Sequence, residues 1–298
     1  MSFRSFITKV YICGKYFAFK HAPRALYPFW LKMFYQIEMK KKLNLEKPQT
    51  LNEKIQWLKL YDSTPEKTLL ADKYLVREWV KKTIGEQYLI PLLGVWEHFD
   101  DINFDNLPNK FVLKCNHGSS CNILVEDKNE LNLDNAKKQI TRWMNTNYSF
   151  FNCELHYSEI PRRIIAEQFI ESKEGLKDYR FYCFNGKPNS IWVDVFSGTP
   201  NHKRCIYDVN WELLPVRCKW PYDPKFDTPK PENLDLMLNL AEKLSKGFCF
   251  VRVDLYDVDG RVLFGEMTFT PMQGTAAFDP ESYDKTFGDL LILPNNEK

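Results

Sequence analysis

The 298-residue sequence predicts an α+β fold. Two segments show the period-two alternation of β-hairpins, one around an Asp259-Gly260 turn and one around an Asn185-Gly186 turn. Elsewhere, apolar residues recur at spacings of three and four, which is the pattern of amphipathic helices. Antiparallel hairpins combined with helices are typical of the α+β class.

Composition indicates a soluble globular protein. Hydrophobic residues make up 44% and charged residues 27% of the chain, which excludes a disordered chain and a membrane channel. The eight cysteines are scattered, without a C-x-x-C pair or a zinc-type spacing, so we expect reduced thiols and a cytoplasmic location. No segment approaches the ~18 apolar residues of a membrane-spanning helix, and lysines interrupt any signal-peptide core.

The net charge of +2 conceals a basic N-terminus. Residues 1 to 50 contain ten Lys/Arg and two Asp/Glu, a net of +8, which leaves −6 for the other 248 residues. Residues 1 to about 45 mix these cations with Phe, Tyr and Trp. Two interpretations stay open: a segment that lies in the interface of an anionic membrane, or a helical extension that packs its aromatics on the protein body. Nucleic acid is disfavoured because the remaining chain is acidic and lacks a recognition motif.

Two helices are predicted after residue 49. Thr50 and Glu53 have the spacing of a capping box at the start of the first helix. The second helix includes residues 69–79 and is expected to end near Gly85. Lys73 lies inside it, and its spacing alone indicates a solvated helix residue.

A possible phosphate-binding loop follows the next clear strand, residues 110–114. The strand ends in Lys114 and leads into Cys-Asn-His-Gly-Ser-Ser, residues 115–120. Backbone N–H groups and hydroxyls can surround a phosphate while a lysine supplies a point charge. An ordinary hairpin loop is the alternative, and the sequence is neither a Walker A motif nor G-x-G-x-x-G.

The middle of the chain supplies further elements. Residues 163–170 form an apolar strand interrupted by Glu167 and Gln168, two polar side chains suited to the edge of a purine base. Arg180 lies in the first strand of the Asn185-Gly186 hairpin. We also expect a short strand within 89–96, helices over 134–144 and 232–246, and a long irregular connection over 198–231.

The Asp259-Gly260 hairpin, residues 250–269, carries charged groups in otherwise apolar strands. Arg252 and Asp254 share one face of the first strand, and Glu266 and Thr268 share one face of the second. Buried strands seldom carry such groups without partners or a metal ion. The alternative is the solvated face of an edge hairpin.

Taken in order, these motifs resemble the ATP-grasp superfamily and, within it, the TupA-like group linked to teichuronopeptide and other bacterial surface polysaccharides. The resemblance runs from about Thr50 to Leu293. It rests on Ala71-Asp-Lys73, Phe111-Val-Leu-Lys114 with the loop after it, Ile165-Ala-Glu-Gln-Phe-Ile170, Arg252-Val-Asp254 and Glu266-Met-Thr268. The chain departs from the pattern at Thr268, where most members have Asn, and in the short helical region before Lys73.

The resemblance implies two α+β lobes, residues 69–170 and 171–298, that hold ATP between them, preceded by a basic aromatic helical region over 1–68. The implied nucleotide contacts are Lys73, Lys114, His117, Gly118, Ser119, Ser120, Glu167, Gln168, Phe169 and Ile170. The implied Mg²⁺ ligands are Asp254, Glu266 and Thr268. Arg180 would clamp the phosphates, and Arg252 would stabilise a tetrahedral oxyanion.

The same resemblance implies an ATP- and Mg²⁺-dependent carboxylate–amine ligase. A substrate carboxylate attacks the γ-phosphate, and an amine then captures the acyl phosphate. The partners would be a uronic acid of a polysaccharide or sugar nucleotide and an amino acid or other amine, in the cytoplasm, with contact to the inner membrane left open by the N-terminus. The alternatives are a glycosyltransferase, supported by the D-x-D sequence Asp257-Val-Asp259, and an ATP-grasp sugar kinase.

A shared metal ion sets a geometric condition on the hairpin. With a two-residue Asp259-Gly260 turn and a regular ladder, Asp254 would oppose Gly265, and Glu266 would face the other side of the sheet. We therefore predict an odd-length loop, for instance residues 259–261, with a left-handed residue in a bulge.

Overall fold

The computed structural model describes residues 3–172, 176–195, 201–220 and 228–294, with side chains from Thr8 onward. A small and a large antiparallel sheet dominate these ranges. The small sheet lies within residues 69–170 and the large sheet within 171–298, the ranges predicted for the two lobes. The division into domains itself stays a prediction.

The small sheet has four strands in the order β1-β4-β2-β3. The strands are β1 (Leu92–Trp96), β2 (Phe111–Cys115), β3 (Asn122–Val125) and β4 (Ile164–Gln168). Phe111 and Leu113 alternate with less buried residues along β2 and pack with Ile140 of helix α6 (Leu133–Met144). This helix covers the apolar face of the sheet.

The large sheet has five strands in the order β10-β9-β5-β6-β7. They are β5 (Asp178–Phe184), β6 (Lys187–Val195), β7 (Lys203–Asp208), β9 (Phe250–Val258) and β10 (Arg261–Thr268). Helix α8 (Leu234–Ser245) buries Met237, Leu240 and Leu244 against one face. A pair of two-residue strands, β8 (Arg217–Cys218) and β11 (Phe278–Asp279), lies outside both sheets.

Strand β7 corrects the prediction of an irregular connection over 198–231, of which residues 198–200 and 221–227 lie outside the described ranges. Charged residues hid the strand from the sequence pattern. Arg204 is buried in it because Asp194, directly opposite on β6, accepts two hydrogen bonds from its guanidinium, at 2.6 and 2.7 Å. The helix predicted over 232–246 and the strand expected within 89–96 are present, each slightly shorter.

The N-terminal region folds into helices that pack on the large-sheet side of the protein. Helices α1 (Phe3–His21) and α2 (Tyr27–Met39) meet through Phe19 and Tyr27, whose rings lie edge to face at 5.4 Å. Lys15 and Glu38 form an ion pair at 2.6 Å between the same helices. Phe19 and Tyr27 belong to the same buried cluster as Trp192 of the large sheet, as expected of a helical extension packed on the body. No helix in the described ranges is both long and apolar enough to cross a bilayer.

Helix α3 (Leu51–Tyr61) begins with the predicted capping box of Thr50 and Glu53. The second predicted helix is instead two helices, α4 (Pro65–Ala71) and α5 (Val76–Thr83). Asp72 causes the break because its Oδ1 accepts the N–H groups of Tyr74 and Leu75, at 2.8 and 3.2 Å. Lys73 therefore lies in a turn, and its predicted position inside a helix is wrong.

The β9–β10 hairpin forms, but the prediction of an odd-length loop is wrong. Val258 pairs with Arg261 across a two-residue turn in which Asp259 and Gly260 are both left-handed, with φ of 49° and 83°. A bulge at Gly265 supplies the required odd residue, because Phe264 pairs with Leu255 and Glu266 with Asp254. A Cβ on Gly265 would lie 3.1 Å from the Asp254 carbonyl oxygen, so the bulge favours glycine here.

Candidate functional site

A cavity of about 180 Å³ lies between the two sheets. Lys73, Lys114 and the loop after β2 approach it from the small-sheet side. Asp254 and Glu266 approach it from the large-sheet side. The structure therefore brings together the predicted phosphate-binding and metal-binding residues around one space.

Asp254 and Glu266 are directly opposite each other in the β9–β10 ladder, and Arg252 links them. The Arg252 guanidinium donates to both oxygens of Asp254, at 2.7 and 2.5 Å, and to Glu266 Oε1 at 2.9 Å. The Thr268 hydroxyl donates to the same Glu266 oxygen at 3.1 Å. All four side chains thus lie on one face of the hairpin, as the period-two pattern predicts. On this face Asp254 and Arg252 are buried.

The two carboxylates differ in their affinity for a proton. Burial raises the pKa of Asp254 to about 7, and the negative charges of Asp178 and Glu266 act in the same direction against Arg252. Burial alone would raise the pKa of Glu266, but Lys73 and Arg252 hold it at about 2. Glu266 is therefore ionised at neutral pH, whereas Asp254 retains its proton more readily, and a cation bound beside Asp254 would favour its ionised form.

The residues present fit a hard divalent cation such as Mg²⁺. Among the described residues, no group of three or more His, Cys, Asp and Glu side chains is arranged to hold a metal by itself. Mg²⁺ is usually held by only one or two carboxylates together with substrate phosphates and water. Asp178, which the sequence analysis missed, lines the same cavity and has a buried Oδ1 without a hydrogen-bond partner. This unpaired oxygen is a further acceptor for a metal-bound water.

Lys73 connects the phosphate-binding loop to the hairpin. Its Nζ donates to the Gly118 carbonyl oxygen at 2.7 Å and lies 3.4 Å from Glu266 Oε2. Ser119 and Ser120 line the cavity, and Ser120 is left-handed with φ of 59°. Because Gly118 contributes a carbonyl that holds Lys73, the loop positions this lysine as well as presenting its own hydroxyls.

His117, predicted as a nucleotide contact, does not line this cavity. Its ring is buried, and its Nε2 lies 3.1 Å from the Trp143 carbonyl oxygen of α6. Burial lowers its pKa, so the ring stays neutral and is held on the other side of the loop. His117 therefore lies outside the cavity that Lys73 and Lys114 line, and its role as a nucleotide contact stays a prediction.

Glu167, at the end of β4, is engaged by two cations. Lys114 Nζ lies 2.6 Å from Glu167 Oε2, and Arg77 of α5 lies 3.2 Å from Oε1. Arg77 was missed by the sequence analysis because a helix arginine is most often solvated. The three side chains line the small-sheet side of the cavity, so Glu167 orients Lys114.

A second cavity, of about 680 Å³, adjoins the first at Leu89, which lines both. The segment after β4 contributes Gln168, Phe169 and Ile170 to it. The Gln168 N–H donates a hydrogen bond to the Pro91 carbonyl oxygen at 3.0 Å. The backbone of residues 169 and 170 has left the strand ladder and is the part that can pair with a ligand.

A third cavity, of about 410 Å³, adjoins the first on the opposite side. Ser119, Ser120, Arg180 and Glu266 line both. Its charged lining contains four cations, Arg180, Arg204, Lys219 and Arg252, against three carboxylates, Glu154, Asp194 and Glu266. A cavity of this composition suits an anionic ligand.

Asp194 fixes two of these arginines. Its fully buried carboxylate accepts two hydrogen bonds from Arg204 and forms an ion pair with Arg180. Burial would raise the pKa of Asp194, but the arginines hold it below its ordinary value. Arg180 is also bound by Asp178, at 2.6 and 2.8 Å, so its position between the first and third cavities is fixed.

Helix α3 holds the loop that closes the third cavity. Met272, Gln273 and Gly274 in this loop are consecutive left-handed residues, with φ of 49°, 60° and 63°. Gln56 Nε2 donates to the Gln273 and Gly274 carbonyl oxygens at 2.9 and 2.8 Å, and Lys59 Nζ donates to Gln273 at 2.6 Å. Burial lowers the pKa of Lys59 to about 8. These contacts stabilise a backbone conformation that non-glycine residues rarely adopt.

Sequence analysis missed Gln56 and Lys59 because they lie one helical turn apart on what reads as the polar face of α3. No local signal marks this face as buried, because the carbonyl groups that it contacts lie more than 200 residues away in the sequence. The short helical region before Lys73 is therefore part of the site.

The D-x-D residues lie away from this arrangement. Asp257 accepts a hydrogen bond from Asn233 at 3.0 Å, and Asp259 is a turn residue. Both line a separate cavity of about 380 Å³ at the hairpin tip.

Comparison with solved structures finds partial similarity to several ligases. A D-alanine–D-alanine ligase from Helicobacter pylori is 17% identical, with a TM-score of 0.45, over 82% of this chain and 69% of that one. The ATP complex of the enzyme from Bacillus anthracis is 17% identical, with a TM-score of 0.41, over 67% of this chain. The ATP-grasp ligase PsnB, with a phosphomimetic variant of its minimal precursor, Mg and ADP, is 10% identical, with a TM-score of 0.40, over 80% of this chain and 65% of that one.

The chain spans little more than half the length of the Bacillus anthracis structures, 54% and 57%. The search of curated proteins finds no match. The model of the TupA-like ATP-grasp family matches residues 53–292, which include both sheets and every residue of the site described above. The chain therefore belongs to the TupA-like ATP-grasp family.

Proposed function

We propose that this protein is an ATP- and Mg²⁺-dependent ligase that joins a carboxylate to an amine through an acyl phosphate. The supporting observation is the row of three adjoining cavities. The cavity at Gln168, Phe169 and Ile170 would take adenine, the cavity at Lys73 and Lys114 the phosphates, and the basic cavity the acceptor. This order brings the end of the triphosphate to the boundary that the first and third cavities share.

The residues at that boundary suit phosphoryl transfer to a carboxylate. Lys114, oriented by Glu167, would hold the phosphates nearer the adenine, and Lys73 those nearer the hairpin. Arg180 lines both cavities and carries a fixed positive charge between the two reactants. Fixed cations of this kind stabilise the charge that develops on the transferred phosphoryl group without reorganising during the reaction.

Asp254 and Glu266, with the Thr268 hydroxyl, would hold Mg²⁺, which when bound neutralises phosphate charge and aligns the transferred group. Arg252 would then be released in part from these carboxylates. Its guanidinium also lines the third cavity, where it would stabilise the oxyanion formed when an amine attacks the acyl phosphate. No side-chain nucleophile is needed for either step.

We further propose that the acceptor carboxylate belongs to a uronic acid of a bacterial surface polysaccharide or its precursor, and that an amino acid or other amine is attached to it in the cytoplasm. The family's link to teichuronopeptide and similar polymers supports this acceptor class. The small excess of cations over carboxylates in the lining of the third cavity supports an acidic ligand. Cysteines without a disulfide support a reducing compartment.

The test is product analysis with ATP, Mg²⁺, a panel of uronates including glucuronic acid, and a panel of amines. We expect ADP, inorganic phosphate and an amide in equal amounts, no ADP when the uronate is omitted, and no more than about one ADP per protein molecule when the amine is omitted. Phosphate transferred stably to a sugar hydroxyl would instead identify a sugar kinase.

If the protein were a glycosyltransferase, it would bind a UDP-sugar in preference to ATP. Because the D-x-D residues occupy a cavity remote from Asp254 and Glu266, we expect ATP with Mg²⁺, and not a UDP-sugar, to raise the melting temperature. Protection by a UDP-sugar alone would overturn the proposed ligase.

A further inference from the structure

We propose that the exposed faces of α1 and α2 form a surface that binds anionic lipid bilayers. We call it the N-terminal surface. Its apolar members are Val10, Phe17, Leu26, Phe29 and Ile37. Its cationic members are Lys20, Arg24, Lys32, Lys40 and Lys42.

The apolar members follow the helical repeat on the side away from the protein. Val10 and Phe17 are seven residues apart on α1, and Phe29 and Ile37 are eight apart on α2, so each pair lies on one helix face. Phe17 is 64% exposed and Phe29 is 59% exposed. Exposure of two phenylalanines together with three aliphatic residues is unusual for a surface that meets only water.

The charge of the N-terminal surface has one sign. Between residues 8 and 45 the sequence has a single acidic residue, Glu38, and that carboxylate is bound by Lys15 at 2.6 Å and by the Tyr11 hydroxyl at 2.9 Å. In the part of the chain that the structure describes, none of the five cationic members is within ion-pair distance of a carboxylate. The surface therefore presents cations without local neutralisation.

An anionic bilayer satisfies both features at once. Lys and Arg are attracted to anionic headgroups, while Phe and aliphatic side chains enter the headgroup region. A nucleic acid would leave the apolar side chains exposed, and a second copy of the same surface would place cations against cations. Since α1 and α2 pack together through Phe19 and Tyr27 and share one buried cluster with the large sheet, α1 would lie along the membrane plane.

The experiment is co-sedimentation of the full chain with vesicles of phosphatidylglycerol mixed with phosphatidylcholine, and with phosphatidylcholine alone. We expect binding to the mixed vesicles that weakens with salt, and at least tenfold weaker binding to phosphatidylcholine. Each cation near an anionic surface contributes about fivefold to affinity, so Lys20→Gln with Lys32→Gln should weaken binding about 25-fold. Phe17→Ser with Phe29→Ser should weaken it by at least tenfold.

Matched control variants lie elsewhere on the protein. Leu124→Ser replaces an apolar side chain as exposed as Phe29, at 59%, and Lys243→Gln with Lys246→Gln removes two exposed charges from the end of α8. Both controls should bind vesicles like the unaltered protein. Circular dichroism establishes that every variant is folded.

Three results would overturn the proposal. The first is equal binding to both vesicle types, or no binding at low salt. The second is binding to duplex DNA as strong as to vesicles and unchanged by the two Phe→Ser substitutions. The third is a dimer in light scattering that those substitutions dissociate, since the surface would then be covered by a second copy. None of these results depends on the proposed ligase activity.

Discussion

Replacing Lys73 with Met tests whether the terminal phosphates of the nucleotide lie beside the metal-binding hairpin. Lys73 Nζ is 2.7 Å from the Gly118 carbonyl oxygen and 3.4 Å from Glu266 Oε2, and Glu266 lines both the cavity proposed for the phosphates and the cavity proposed for the acceptor. A nucleotide whose adenine lies near Ile170 reaches this end only through its β- and γ-phosphates. The substitution should therefore weaken the binding of ATP and leave the binding of AMP unaffected.

The expected loss follows from the contacts removed. A hydrogen bond to a charged group contributes about 1.5–3 kcal/mol, so the dissociation constant for ATP with Mg²⁺ should rise about 10- to 100-fold. The AMP dissociation constant should stay within about twofold. Isothermal titration calorimetry with a non-hydrolysable ATP analogue and with AMP measures both.

Lys137→Met is the matched control. Lys137 lies on α6, away from the three cavities, and forms an exposed ion pair with Asp100. It should change neither affinity. If Lys73→Met weakened the binding of ATP and of AMP equally, the placement of Lys73 at the terminal phosphates would be refuted. Unchanged ATP affinity in that variant would refute its role as a nucleotide contact.

Three further predictions concern the scaffold. Burial lowers the pKa of His156 to about 3. Below about pH 6.5 the unfolded chain therefore binds a proton that the folded chain does not, and the stability decreases as the pH is lowered. Relative to His156→Gln, the unfolding free energy should fall by about 3 kcal/mol between pH 7 and pH 4.5 in urea titrations; parallel pH profiles would contradict a buried neutral imidazole. Gly265→Val places a side chain 3.1 Å from the Asp254 carbonyl oxygen and should lower the unfolding free energy by about 1–3 kcal/mol. It should also weaken the binding of Mg²⁺–ATP more than the binding of free ATP. Gln56→Met should speed amide exchange in residues 270–276 without changing ATP affinity, and unchanged exchange would show that α3 does not hold this loop.

The hairpin shows how far the sequence reaches. Period-two alternation is enough to place Arg252, Asp254, Glu266 and Thr268 on one face, because side chains of a strand alternate whatever the partner strand does. The register depends instead on where an extra residue is accommodated. The bulge at Gly265 preserves the pairing of the two carboxylates as well as an odd loop would, and local sequence does not distinguish the two solutions.

Elements that depend on distant partners were harder to predict. Asp72 ends a helix through its own side chain, which the apolar spacing of 69–79 does not reveal. Strand β7 carries a buried arginine whose partner, Asp194, lies ten residues earlier. Gln56 serves carbonyl groups more than 200 residues away in sequence, so its role is visible only once the chain has folded.

The central claim is that a carboxylate attacks ATP to form an acyl phosphate, and oxygen transfer measures this directly. The protein would be incubated with ATP, Mg²⁺, an amine and a uronate labelled with ¹⁸O in its carboxylate, and the inorganic phosphate examined by ³¹P NMR. We predict one ¹⁸O atom in each phosphate released, because the carboxylate oxygen leaves with phosphate when the amine attacks. Amide formation with unlabelled phosphate, or with AMP and pyrophosphate as products, would contradict the claim.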